Sequence, residues 1–111
     1  MPTEIVLLSE VEPTLETIMA AGAELHPDGR YVDYRGGEIG QFISAEGEGL
    51  LQIYRSRPVS IPREAARAVV DAPTAFSLWT DMTIPFGDAR QGRALAEKIA
   101  AAVDGVIKER S

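Results

Sequence analysis

The pattern of hydrophobic and polar positions along this chain changes period several times, and each change marks an element. Ile5-Val6-Leu7-Leu8 is a continuous apolar run, so Glu4 to Leu8 reads as a short buried strand. Ser9-Glu10-Val11-Glu12 follows with the form of a capping box, Ser9 at the N-cap and Glu12 three residues on. Val11, Leu15, Ile18 and Met19 fall on one face of the helix so started. Pro13 sits in its first turn, and Gly22 suits the C′ position where φ is positive. His26-Pro27-Asp28-Gly29 is a turn by composition.

Arg30 to Arg35 and Glu38 to Ser44 both have strand character, and Gly36-Gly37 lies between them. A phosphate-cradling loop would place its glycines between a strand and a helix. Here a second strand follows, so the pair is a hairpin corner. A two-residue turn sets Tyr34 against Ile39, Asp33 against Gly40, Val32 against Gln41 and Tyr31 against Phe42. One face then holds Val32, Tyr34, Ile39 and Ile43, the expected core side. Tyr31, Asp33, Arg35, Glu38, Gly40 and Phe42 occupy the other, more polar side. Ala45 to Gly49 makes a second hairpin loop leading into a strand over Leu50 to Arg57. A five-residue loop puts Tyr54 on the side of Tyr31 and Phe42, and a four-residue loop reverses this.

Pro62-Arg63-Glu64-Ala65 opens a short helix ending near Val70, with Asp71-Ala72-Pro73 after it. Ala75 to Ile84 alternates strictly, with Phe76, Leu78, Thr80, Met82 and Ile84 against Ser77, Trp79, Asp81 and Thr83. Pro85-Phe86-Gly87 breaks that strand. Asp88 is the expected N-cap of a last helix with a buried stripe of Leu95, Ala96, Ile99 and Val103. The helix ends at Gly105, and Val106-Ile107 adds a short edge strand or packed tail. The order β-α-β-β-β-α-β-α with consecutive hairpins predicts an α+β fold: an antiparallel meander sheet with helices packed on it. At 111 residues, the chain 1–111 is expected to form a single globular domain.

Charge adds an asymmetry that periodicity does not reveal. Residues 1–54 carry ten acids against Arg30 and Arg35, whereas residues 55–111 carry seven acids and nine bases. An acidic half repels phosphate backbones, so nucleic acid is not the expected partner. Acidic surface favours encounter with a basic protein. The chain has no cysteine, and its apolar runs are too short for a signal sequence or a membrane span. A cytoplasmic protein with no membrane partner is the expectation.

Catalytic signatures are sparse. His26, the only histidine, lies in a turn with no ligand-spaced neighbours, so neither a metal nor a cofactor is expected. No G-x-S-x-G occurs. Asp33 and Asp81 lie opposite the clear apolar faces of their strands and would meet if those strands were neighbours. Arg55 and Arg57, two apart on one strand face, and Arg63 on the next helix form a candidate anion site, arginine being suited to bidentate recognition of carboxylate or phosphate. The strongest binding feature is the aromatic face of Tyr31, Phe42 and Trp79, flanked by Asp33 and Asp81. Exposed rings beside acids make interface hot spots; a covering helix would turn them into core residues instead.

The Tyr31-Val32-Asp33-Tyr34-Arg35-Gly36-Gly37 hairpin and the closing segment Asp88…Leu95-Ala96-Glu97-Lys98-Ile99-Ala100…Gly105-Val106-Ile107, in an acidic α+β chain of this size, resemble the small cytoplasmic immunity proteins of bacterial polymorphic toxin systems. The resemblance implies a non-enzymatic protein that blocks a cognate toxin. The leading expectation is therefore a protein-binding module, an immunity protein or similar inhibitor of a basic toxin domain. A homodimer burying the same face is a variant of it. The alternative is a small-ligand domain or enzyme, with Arg55 and Arg57 on an anionic group and Asp33 or Asp81 moving a proton.

Overall fold

The structure, a computed structural model, describes residues 3–60, 62–69, 76–85 and 89–110. The strands are β1 (Thr3–Ser9), β2 (Arg30–Tyr34), β3 (Ile39–Ile43), β4 (Gly49–Tyr54), β5 (Arg57–Pro58), β6 (Leu78–Ile84) and β7 (Val106–Glu109). Between them lie helices α1 (Leu15–Leu25), α2 (Pro62–Ala65), which runs on into a 3-10 turn at Ala66–Ala68, and α3 (Ala89–Ala102). This is the α+β class expected, with helices packed on an antiparallel sheet. The meander runs through β2, β3 and β4, and the full order is β2-β3-β4-β6-β1-β7, with β5 also paired to β6. The N-terminal strand thus inserts between β6 and β7, a pairing across most of the chain that no local pattern encodes. Val106-Ile107 does form the short edge strand.

β1 carries apolar side chains to both faces. Ile5 and Leu7 join the larger core with Phe42, Leu51, Ile53, Met82 and Ile84, under Ile18 and Ala21 of α1 and Leu95, Ala96 and Ile99 of α3. Val6 and Leu8 face the opposite way, into a smaller core with Val69, Phe76 and Trp79. Burial on both sides explains why β1 reads as an unbroken apolar run rather than an alternation.

The hairpin register is the one expected, Tyr34 against Ile39 through Tyr31 against Phe42. Gly36 and Gly37 both take positive φ, 63° and 92°, which glycine adopts without a Cβ clash. The faces, however, are the reverse of those expected. Phe42 is 3% exposed in the larger core, while Val32, Ile39 and Ile43 are half-buried and Tyr34 is exposed. The reason is Gly22. It lies inside α1, not at its C-terminus, and a Cβ there would overlap the Phe42 ring. The helix therefore sits directly on the aromatic side of the hairpin. Between β3 and β4 the pairing shifts by one between Phe42 and Ile43 and sets Ile39 against Tyr54. This is the face assignment of the shorter loop, so Tyr54 lies opposite to Tyr31 and Phe42.

Two further expectations change. The capping box at Ser9 does not form, because Ser9 is still paired to Leu78 in β1 and its Oγ donates to the Val11 carbonyl (2.8 Å). The cap is Thr14, whose Oγ1 accepts from the Thr17 amide (3.1 Å). The strand expected over Leu50 to Arg57 breaks at Arg55-Ser56, and pairing to β6 slips by one across the break: Ile53 faces Met82, but Arg57 faces Trp79. The buried Thr80 hydroxyl is satisfied there by Ser56 at 2.6 Å. Leu95, Ala96, Ile99 and Val103 are buried as the stripe predicted. Val70 to Ala75, Phe86, Gly87 and the expected cap Asp88 lie outside the described residues.

Candidate functional site

The sequence-predicted site residues do not form one surface. Tyr31, Asp33 and Phe42 share the helix-covered face of the sheet, whereas Trp79 and Asp81 are on the other. Asp33 and Asp81 cannot meet, since β3 and β4 separate their strands and they point to opposite faces. Trp79 is itself 3% exposed. Its Nε1 donates to Asp81 Oδ1 at 2.9 Å, and the guanidinium groups of Arg57 and Arg110 lie over its ring at 5.5 and 5.9 Å from the centroid. Both arginines also reach the Asp81 carboxylate, at 3.5 and 3.3 Å.

The expected anion site is likewise divided. Arg57 belongs to that Asp81 cluster, and Arg63 is exposed on α2. Arg55 turns toward the hairpin corner, where its Nη2 donates to the Gly36 carbonyl (3.2 Å). The one-residue slip at Ser56 is the cause, because it sends two arginines spaced by two to different faces.

What the fold does assemble lies where α1 meets the hairpin. A pocket of about 290 Å³ opens there. Glu12, Asp33 and Arg55 bring charge to it, Thr14 brings the helix cap, and Tyr31 and Ile53 line its sheet side. Tyr31 packs across Gly40, its phenol occupying the space a side chain there would need. Burial pushes the Tyr31 phenol above its ordinary value of 10.0, and the Asp33 charge adds to the shift. A raised value means the folded state holds this proton more tightly than the unfolded chain. Its contribution to stability is complete below the unfolded value and is lost as pH rises through the folded one. The urea midpoint of the native protein should therefore fall relative to that of Tyr31→Phe as pH rises from about pH 9 to about pH 11. Parallel curves would show that the phenol is not shifted.

Beside this pocket, two large apolar residues of α1 that the sequence pattern assigns to the core, Leu15 and Met19, are 54% and 52% exposed, and Val11, in the segment before the Thr14 cap, is 58% exposed. Of that predicted face α1 buries Ile18, together with Ala21 and Gly22. One flank of the helix is turned to α3, where Glu24 pairs with Lys98 at 3.1 Å. Leu15 lines the pocket with Tyr31 and Asp33 of β2, the outermost strand on that side, and Met19 follows it one turn along the helix. The missed signal was the pair Ala21-Gly22, three and four residues after Ile18, which continues its face at helical period with small side chains.

Among the described residues no group of three or more His, Asp or Glu side chains could hold a metal ion, and no helix is long and apolar enough to cross a membrane. A scan of the chain against protein-family models finds no match, and searches of curated proteins and of solved structures likewise find none.

Proposed function

We propose that this chain is a protein-binding module for a basic partner, acting in the cytoplasm as an inhibitor of the immunity-protein type. The observation that carries this reading is the exposed apolar pair Leu15 and Met19 on α1, with Val11 in the segment before it, beside Glu12 and Asp33. Large apolar side chains more than half exposed are what a docking face offers, and adjoining carboxylates select for positive charge. The excess of acids in residues 1–54 extends that preference over the half of the chain that builds β1, α1 and the two hairpins. A folded partner sits on α1 and the hairpin edge rather than on the aromatic rings.

The test is affinity capture from the native host at low and high salt, using the protein and a Leu15→Glu/Met19→Glu variant. Both positions are exposed, so the variant should keep its melting temperature. A stoichiometric basic partner, lost at high salt and bound about tenfold or more weakly by the variant, is the expected result. Equal capture by both proteins would remove the α1 face from the reading. A second reading, a small anionic ligand, is favoured by Arg55 lining the same pocket as Tyr31 and Asp33. It predicts no captured protein, together with a metabolite-induced rise in melting temperature that Arg55→Ala abolishes.

A further inference from the structure

We infer that the outer edge of β2 accepts an extended segment of the partner as an added strand, one that alternates lysine or arginine with β-branched residues. The inference rests on the protein-binding reading and specifies how the partner is held. Its first support is main-chain direction. The Arg55 amide donates to the Glu38 carbonyl at 2.9 Å, which makes Ile39 and Tyr54 a non-hydrogen-bonded pair between β3 and β4. Alternation along β3 turns the main-chain groups of Ile39 and Gln41 toward β2, where they meet Tyr34 and Val32. The amides and carbonyls of Tyr31 and Asp33 therefore point out of the sheet, and among the described residues no strand pairs with them.

The second support is what flanks that edge. An added strand would run beneath the flank of α1 that carries Leu15 and Met19. Its side chains on the helix side would have an apolar wall above them and Glu12 and Asp33 ahead of them. A lysine or arginine satisfies both at once, its methylene stem along Leu15 and Met19 and its charged head at the carboxylates. On the opposite side, alternate residues would extend the surface of half-buried Val32 and exposed Tyr34, which suits valine, isoleucine or threonine. A second copy of this chain fits less well. Its own β2 would bring Asp33 to a site already holding Asp33 and Glu12, like charges facing each other. Strand addition of this kind draws affinity from main-chain pairing and specificity from alternate side chains.

The probe is an acetylated, amidated peptide of alternating lysine and valine, titrated into the isotopically labelled protein while amide exchange is followed residue by residue. Saturable binding that slows exchange at Tyr31 and Asp33 about tenfold or more is expected, and so is its loss when the peptide is N-methylated at alternate amides. A glutamate–valine peptide should not bind. Equal binding of the N-methylated peptide, or exchange at Tyr31 and Asp33 left unchanged, would overturn strand addition. Asp33→Pro and Asp33→Asn separate this failure from that of the module itself. Proline removes an outward amide at an edge position that tolerates it, and asparagine removes the charge alone. A host partner captured by Asp33→Asn and lost from Asp33→Pro supports the added strand. A partner captured equally by both overturns it and leaves a binding module that works without the edge. If neither peptide nor host partner is retained, both readings fall. A concentration-dependent dimer that Asp33→Pro dissolves would overturn the basic partner in favour of a second copy.

Discussion

Gly92→Ala is expected to destabilise the protein by about 3 kcal/mol, although in an isolated helix the same change adds about 1 kcal/mol of stability. The sign is reversed by what α3 touches. A Cβ at Gly92 would overlap the carbonyl oxygen of Leu50 and lie 2.7 Å from Ile84 Cγ2. The helix approaches the sheet so closely at this point that the main chain of β4 is its contact surface. A carbonyl in a central strand cannot rotate aside, so the whole helix must lift. That movement loosens Leu95, Ala96 and Ile99, the side chains that fill the space between α3 and the sheet. Urea denaturation reads the effect as a lower midpoint with an unchanged slope.

Gly22→Ala provides the comparison. The obstacle there is the Phe42 ring, a side chain rather than main chain, so Phe42→Leu should relieve much of the Gly22→Ala defect. No side-chain change at Ile84 should rescue Gly92→Ala, because the Leu50 carbonyl remains. A Gly92→Ala protein as stable as the native one would mean that α3 does not lie this close to β4.

These glycines also explain which parts of the fold the sequence made legible. Elements defined by their own period were readable: β1 as an apolar run, the Gly36-Gly37 hairpin with its register, and the Leu95-Ala96-Ile99-Val103 stripe of α3. Misreadings arose where packing used an absent side chain. α1 buries the small residues Ala21 and Gly22, and the Phe42 ring fills the space at Gly22. A reading weighted by hydrophobic size takes Val11, Leu15, Ile18 and Met19, of which only Ile18 is buried. The same substitution of ring for helix side chain inverted the two faces of the hairpin. A one-residue slip at Ser56 then separated Arg55 from Arg57, and a single-residue irregularity has no signature in an alternating pattern. Of the candidate site, Tyr31 and Asp33 are legible as neighbours on one hairpin face, and the structure brings Arg55 to them. The exposed flank of α1 was not legible, since it looks the same on paper as a buried one.

Trp79→Ala carries the largest effect on the opposite face, a loss of about 4 kcal/mol. The ring is almost fully buried against Val6, Leu8, Val69 and Phe76, and its removal leaves a cavity that a strand with β1 on one side and β5 on the other cannot collapse to fill. The ring also has a second role that alanine removes, as the platform for Arg57 and Arg110. Asp81 connects all three, accepting from the indole and from Arg110 and forming an ion pair with Arg57. Asp81→Ala should cost about 1–2 kcal/mol. Most of that comes from the indole N–H left without its partner, because the arginine pairs are too exposed to contribute much. Trp79→Phe keeps the packing, loses the N–H and should fall between the two. The ordering matters for function as well as stability. Chemical denaturation of the three variants, followed by circular dichroism since Trp79 is the only tryptophan, will rank them. If Asp81→Ala were instead neutral, Arg57 and Arg110 would not be committed to this carboxylate, and the anion-binding role expected of Arg57 would again be open. With the expected ranking, Arg57 serves to cover Trp79, and Arg55, on the other side of the sheet, is the arginine on which the small-ligand reading rests.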